Sequence, residues 1–318
     1  MTDNSLTLAR NAIAGLELFK GANPATIPIK RLGGLTNLVF RVEHNNDALC
    51  LRLPGKDTEE FIDRKIEAHN ARAAAKAGVS PQVLFADENY GIMVAKFLDG
   101  FDTMTPDLFK SKTGSPARAG KAFSKLHNSG QTFQFRFELF AMIDEYLDIL
   151  SKKTVHFPDG YHDVLADSKA VRQALNANPT KLAPCHCDPL CENFLDDGET
   201  MWIIDWEYSG MNDPLWDLAD LSVEGGFSNA QDLEMLNAYF ASEPSQADMG
   251  RMIIYKAMCD LLWTLWGLIQ HANNNPAEDF WAYSVERFNR CKTLMASPDF
   301  NNHIKAIHNT TPKAKHNA

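Results

Sequence analysis

Long apolar runs and basic character are both missing from this chain of 318 residues. No run of apolar residues approaches the roughly 20 that a helix needs to cross a bilayer. The first ten residues are polar and contain none of the apolar stretch that a secretory signal requires. We therefore expect a cytoplasmic protein with no membrane span.

Cysteine and positive charge are scarce as well. Six cysteines are too few for a disulfide scaffold, which predicts free thiols in a reducing compartment. The formal net charge of −10 repels a phosphate backbone, so the sequence argues against a nucleic-acid partner. The length is generous for one compact core and suits two lobes.

The first third of the chain combines short strand patterns with one helical pattern. Gly33-Gly34 and Asn45-Asn46-Asp47 separate the first three strands, as turn residues do. The helical pattern covers residues 59–77 and is ended by Gly78. The predicted strands are 27–32, 38–42, 48–53, 82–86 and 91–97. This order predicts an antiparallel sheet that carries a helix.

Helical patterns dominate the rest of the chain. The predicted helices are 117–127, 137–152, 166–176, 250–273 and 277–294, with a strand-rich segment at 182–206. The sequence therefore predicts an α+β protein. Its N-terminal lobe would comprise residues 1–97 around a small antiparallel sheet, and a larger, mainly helical C-terminal lobe would comprise residues 98–318.

The segment HCDPLCEN, residues 186–193, has the pattern H-x-D-x-x-x-x-N. Phosphoryl transfer needs a carboxylate that orients the attacking hydroxyl and accepts its proton, and Asp188 suits that role. Mg²⁺ prefers hard oxygen ligands, which the amide of Asn193 and the carboxylate of Asp205 can supply. Asp205 follows an apolar strand pattern, where a metal-binding Asp of a kinase-type site belongs. His186 is expected to form a structural hydrogen bond.

These motifs resemble those of a known family. HCDPLCEN followed by IIDWEYSGMNDPLWDLADL, together with the GGLTN turn at residues 33–37, is similar to the choline/ethanolamine kinases. Within the aminoglycoside phosphotransferase superfamily, the sequence looks closest to this branch and its LicA-like members. The resemblance extends from about Leu32 to Arg287.

The resemblance implies a bilobal, protein-kinase-like fold that binds ATP and Mg²⁺ between its lobes. It implies that Asp188 is catalytic and that Asn193 and Asp205 hold the metal. The turn would cover the phosphates, Arg52 would steady them and pair with Glu67, and residues 94–97 would lie against adenine. The implied nucleotide-binding residues are Gly34, Thr36, Asn37, Arg52, Glu67, Val94 and Phe97.

The resemblance also implies an acceptor site. Trp263 and Trp266 lie three residues apart on an apolar helix, so they share a face, and they either pack in the core or bind a quaternary ammonium. Tyr283 and Glu224 match further pocket positions, whereas Leu190 stands where this branch has Gln. Choline is the expected acceptor. Ethanolamine, thiamine, an aminoglycoside, or a kinase-like protein that only binds its ligands are the alternatives.

Two features remain open at this level. Cys185, Cys187 and Cys191 could bind zinc, although their spacing is unusual for such a site, or they could be core residues. Asp217 could support the active loop or cap the helix that follows Pro214. The sequence predicts no oligomeric state.

Overall fold

The structure, a computed structural model, describes residues 4–33, 37–55 and 62–308. Its N-terminal part is an antiparallel sheet with the strand order β1-β2-β3-β5-β4. The elements in this part are α1 (Asn4–Gly15), β1 (Ile29–Gly33), β2 (Leu38–His44), β3 (Asp47–Leu53), α2 (Arg64–Ala77), β4 (Val83–Ala86) and β5 (Met93–Lys96). The predicted sheet is therefore present, with shifts of a few residues at the strand ends.

The hairpin of β2 and β3 shows how the sequence builds the sheet. Asn45 and Asn46 form its turn with φ of 51° and 66°, values that Asn adopts more readily than most residues. Phe40 pairs with Leu51, and both side chains are fully buried in the core. The same core also contains α1. Cys50, on the opposite side of β3, is half-buried.

Helix α2 ends at Ala77, as predicted, and Gly78 closes it in the left-handed conformation with φ 72°. Its start was predicted five residues too early. The Asp63 side chain accepts hydrogen bonds from the N–H groups of Lys65 and Ile66, at 3.0 and 3.1 Å, and thereby sets the first turn. The inner face of α2 packs on the core of the C-terminal part.

The C-terminal part is mainly helical. Its helices are α3 (Pro106–Ser111), α4 (Ser115–His127), α5 (Leu139–Ser151), α6 (Tyr161–Ala177), α7 (Leu215–Gly225), α8 (Asn229–Phe240), α9 (Gln246–Ala272), α10 (Phe280–Met295) and α11 (Phe300–His308). Its short strands are β6 (Asp102–Thr103), β7 (Ala183–Cys185), β8 (Phe194–Asp196), β9 (Met201–Ile203) and β10 (Gly210–Asn212). The lobe boundary near residue 97 remains a prediction.

Helix α9 is more apolar than the search for long apolar runs suggested. Its 27 residues include an 18-residue window with a mean hydropathy of 1.4, so by length and composition it could cross a bilayer. In this structure 83% of that window is buried within the protein. It packs against α5, α7, α10 and α11, which is the position of a core helix.

Two small sheets frame the predicted active segments. β7 pairs with β10, and β8 lies between β6 and β9. Residues 186–193 therefore leave the end of β7 and return through β8, while residues 204–209 connect β9 to β10. The second connection faces the N-terminal sheet, because Asp205 contacts Arg52 on β3.

Candidate active site

The segment from His186 to Asn193 is closed by its own hydrogen bonds. The Nδ2 of Asn193 donates to the carbonyl oxygen of Asp188 at 3.2 Å, and the N–H of Leu190 donates to the same oxygen at 2.9 Å. Cys187 has φ 69°, a conformation that is costly for a residue with a Cβ atom. Asp188 and Asn193 are thus held in one compact loop.

Asp217 holds this loop from beneath. Its carboxylate accepts hydrogen bonds from the N–H of His186 at 2.7 Å, the N–H of Cys187 at 2.8 Å and the ring of His127 at 3.0 Å. The side chain is fully buried, and no side-chain cap is present at the start of α7. Of the two interpretations of Asp217, support of the loop is the one present in the structure.

Replacing Asp217 by Asn should destabilise the protein and slow turnover together. The amide has one acceptor oxygen, so a buried N–H of the strained loop loses its partner, at a cost of about 1–3 kcal/mol. Denaturant unfolding and kcat measure the two effects. Asp232→Asn is a matched control, because Asp232 is equally buried but bonds to Ser222 and Lys256. A destabilised D217N with unchanged kcat would contradict the loop-supporting role.

The second segment is tied to the first through its backbone. The N–H of Ile204 donates to the carbonyl of Asn193 at 2.9 Å, and the Nε2 of His186 lies 2.9 Å from the carbonyl oxygen of Ile204. Burial lowers the pKa of His186, so the neutral ring donates this hydrogen bond, in agreement with the structural role expected of it. Asp205 follows with φ 67°, the second strained residue of the site.

A buried ion network links the N-terminal sheet to this segment. Arg52 pairs with Glu67, as the resemblance implies, and its Nη1 lies 3.0 Å from Asp205 and 3.7 Å from Glu207. Arg64 lies 2.8 Å from both Glu67 and Glu207. Three acids thus share two cations. Burial and the charge of Glu207 raise the pKa of Asp205 to about 7.

Asp188 is half-buried and close to further acids. Burial, followed by the charges of Glu224 and Asp205, raises its pKa to about 8, and Arg287 opposes that shift. A base is most effective when its pKa lies near the working pH. Carboxylate oxygens of Glu67, Asp205 and Glu207 come within 4.8 Å of one another. Such crowded, hard oxygen donors fit a divalent cation.

The predicted nucleotide residues have different surroundings. Gly34 and Thr36 lie outside the described residues. Asn37 is buried and donates from Nδ2 to Glu207 at 2.8 Å. The side chain of Val94 is fully buried in the N-terminal core on β5, which lies between β3 and β4, and its place beside adenine stays a prediction. Phe97 is half-buried beneath the guanidinium of Arg41, 5.2 Å from its ring centroid.

The predicted aromatic residues do form one wall. The rings of Trp263 and Trp266 are perpendicular at 6.4 Å between centroids, and Tyr283 lies 5.9 Å from Trp266. Trp263 is 5% exposed, whereas Trp266 and Tyr283 are half-buried. Tyr208, which the sequence did not single out, packs at 6.1 Å against Trp263 and joins the wall to the Asp205 segment.

Glu224, on α7, is already paired. It accepts a hydrogen bond from Nη2 of Arg287 at 2.6 Å, and the guanidinium of Arg287 lies 4.5 Å from the centroid of the Tyr283 ring. Leu190, in the loop of Asp188, is 37% exposed and offers an apolar surface. Among the residues important to this site, Arg64, Glu207 and Arg287 were not selected from the sequence.

All six cysteines are free thiols, as predicted. Cys185 and Cys187 donate to the backbone carbonyls of Asn212 and Cys185, at 3.6 and 3.7 Å, and burial raises the pKa of both thiols well above the usual range. Among the described residues, potential ligand atoms gather around Cys185 only with His127 and Asp217. The three clustered cysteines therefore pack as core residues and do not converge on one point.

Comparisons with known proteins identify relatives of this chain. The family model for choline/ethanolamine kinases matches residues 29–247. A choline/ethanolamine kinase family protein from Mesorhizobium loti is 59% identical, with a TM-score of 0.88 and coverage of 95% of this chain and 99% of that one. Protein LicA of Haemophilus influenzae is 26% identical over 286 residues, 88% of this chain and 83% of its own length.

The crystal structure of choline kinase LicA from Streptococcus pneumoniae has the same fold. It is 24% identical, with a TM-score of 0.74 and coverage of 91% of this chain and 98% of that one. The kinase-like fold class predicted from the sequence is confirmed. Because the family model covers most of the chain, and because the Mesorhizobium loti family protein is 59% identical over 95% of it, the chain belongs to the choline/ethanolamine kinase family.

Proposed function

We propose that this protein transfers the γ-phosphoryl group of ATP to the hydroxyl of choline, with Mg²⁺ as the cofactor. Membership of the family makes it an ATP-dependent alcohol phosphotransferase. The choice of choline depends on one observation, the wall of Trp263, Trp266 and Tyr283, which packs through Tyr208 against the segment that carries Asp205.

In this proposal each polar group of the site has a defined task. The acceptor hydroxyl donates its hydrogen bond to Asp188 and later its proton. Asn193 and Asp205 would hold Mg²⁺, and the bound ion would supply positive charge against the phosphates. Arg52, fixed by Glu67, orients the phosphates, and its planar guanidinium can bind two of their oxygens. Positioning and electrostatic stabilisation supply most of the rate enhancement.

The acceptor choice follows from the chemistry of the wall. A trimethylammonium group is large and weakly hydrated and has no hydrogen-bond donor, so aromatic faces bind it well. A primary ammonium loses three hydrogen bonds to water and needs acceptors in return. The exposed side chain of Leu190 adds apolar surface near Asp188, where the family resemblance would place a polar Gln.

Replacing Trp266 by Ala should raise the KM for choline by roughly 30-fold, which corresponds to about 2 kcal/mol for a desolvated cation–π contact. The KM for ATP should change little. The choline-to-ethanolamine ratio of kcat/KM should fall, because ethanolamine gains less from the ring. Steady-state kinetics with both acceptors measures these effects, and Trp263→Ala should act in the same direction.

Trp281→Ala is the matched control for this test. Trp281 is also half-buried on α10, but it packs against His271 instead of the wall. An unchanged acceptor ratio in Trp266→Ala, with a melting temperature lowered by the cavity, would assign both tryptophans to the core and remove the support for choline. A panel of choline, ethanolamine, thiamine and aminoglycosides then identifies the acceptor. The cytoplasmic location and the exclusion of nucleic acid remain predictions.

A further inference from the structure

The acceptor wall already contains a cation that belongs to the protein. Arg287, on α10, is 5% exposed. It engages two of the groups that a substrate cation would use, the carboxylate of Glu224 at 2.6 Å and the ring face of Tyr283 at 4.5 Å. A cationic acceptor therefore meets a pocket in which Glu224 is already paired with a cation of the protein.

Arg287 is fixed from behind, so an arriving ligand does not displace it easily. Its Nη1 lies 3.3 Å from Asp260 on α9. Asp260 is 4% exposed in its side chain and is also held by Arg290, through Nε at 3.0 Å and Nη2 at 2.6 Å. An arginine stays charged at any pH that a protein tolerates. Buried between two acids, Arg287 keeps both its position and its charge.

This arrangement affects the two candidate acceptors differently. A primary ammonium needs a carboxylate whose charge is not balanced and whose oxygens can accept hydrogen bonds. Arg287 already balances the charge of Glu224 and donates a hydrogen bond to it. Repulsion from the guanidinium of Arg287 acts on both cations alike, so the difference lies in the acceptor sites that each group needs. A trimethylammonium group depends on aromatic surface, and Trp263 and Trp266 provide it without competition from Arg287.

We propose that Arg287 is a specificity-determining residue, which neutralises Glu224 inside the acceptor pocket and thereby selects a quaternary over a primary ammonium group. This inference rests on the proposed function and names the residue that would discriminate between choline and ethanolamine. The competing explanation is that Arg287 only ties α7 to α9 and α10. Since Arg290 shares Asp260 with Arg287 but does not reach Glu224, the two explanations can be separated.

The test compares Arg287→Met with Arg290→Met. Methionine keeps a long, flexible apolar stem and removes the charge. In Arg287→Met the choline-to-ethanolamine ratio of kcat/KM should shift toward ethanolamine by about tenfold or more, which is about 1.4 kcal/mol. In Arg290→Met the ratio should stay as in the wild type, although Asp260 loses a partner there too. Adding Glu224→Gln to Arg287→Met should abolish the gain for ethanolamine.

Equal losses for both acceptors in Arg287→Met, or a ratio no different from that of Arg290→Met, would overturn the proposal and leave Arg287 as a structural tie. If Arg287→Met does not fold, Arg287→Gln removes the charge but can still donate to Glu224 and Asp260, and the same ratio decides. A wild type that phosphorylates neither acceptor would instead refute the proposed function.

Binding of tetramethylammonium and methylammonium, measured by tryptophan fluorescence, then tests Arg287 separately. Its neutral variant should gain affinity for methylammonium relative to tetramethylammonium.

Discussion

Replacing Asp188 by Asn is expected to lower kcat by about 10²-fold or more, in the range typical for the loss of a positioned base. The amide keeps the shape of the side chain but cannot accept the proton of the acceptor hydroxyl. Asp188 lies in a loop closed by Asn193 and held by Asp217, so the substitution should leave the loop intact. Single-turnover kinetics with saturating ATP and choline measures the chemical step.

Nucleotide binding provides the internal control, because no contact with ATP is assigned to Asp188. Its dissociation constant should change by less than a few-fold. Asp197→Asn is the matched control variant, since Asp197 is exposed and accepts hydrogen bonds only from the N–H groups of its own turn. A near wild-type kcat in D188N would remove Asp188 from the mechanism.

Replacing Arg52 by Met should have the largest effect on stability. Arg52 pairs with Glu67 and lies 3.0 Å from Asp205 and 3.7 Å from Glu207, and its loss leaves Arg64 as the one cation of this network. Removing one partner from a buried ion network costs roughly 3–5 kcal/mol. The free energy of unfolding from denaturant titration should fall by that amount. The KM for ATP should rise as well, because the phosphates lose their cation.

Arg52→Lys separates the two effects. It keeps the charge near the acids and the phosphates but loses the planar fork, so it should retain more stability than Arg52→Met while still raising the KM for ATP. Arg72→Met serves as the surface control, because its pair with Glu88 at 3.3 Å is exposed and should contribute about 0–1 kcal/mol. An Arg52→Met protein with wild-type stability would show that the network adds nothing to the fold.

The sequence predicted the elements whose signals are local. β2 and β3 follow from β-rich runs separated by Asn45-Asn46, and α2 ends where Gly78 permits the left-handed conformation. Helix α8 was missed although Ser228 and Gln231 form a capping box at its start. Helix α1 was read as a polar terminus. Ala9 and Ile13 of α1 lie in the core of the sheet and Leu6 packs against it, so this helical spacing was a signal that the interpretation missed.

The site was predictable where its residues lie within a motif. Asp188, Asn193 and Asp205 are close in sequence, and backbone hydrogen bonds between their segments bring them together. Arg64 and Arg287 were not selected because their partners Glu207 and Glu224 are far along the chain, and a basic residue on a helix most often faces solvent. A strand pattern alone also does not show that β5, which carries Val94, lies between β3 and β4 in the sheet.

The burial of the cysteine thiols allows local unfolding to be measured by alkylation. Thiol alkylation requires access and a thiolate, and burial raises the pKa of Cys50 to about 11 and that of the C-terminal cysteines further. Cys50 lies in the N-terminal sheet, and the other five cysteines lie in the core of the helical part. Because Cys50 is half-buried, it can be alkylated without unfolding of the sheet, whereas the five buried cysteines react only when the helical part opens. The alkylation rate of these five cysteines therefore reports the opening of the helical part, and ATP should lower that rate only as far as it stabilises this part.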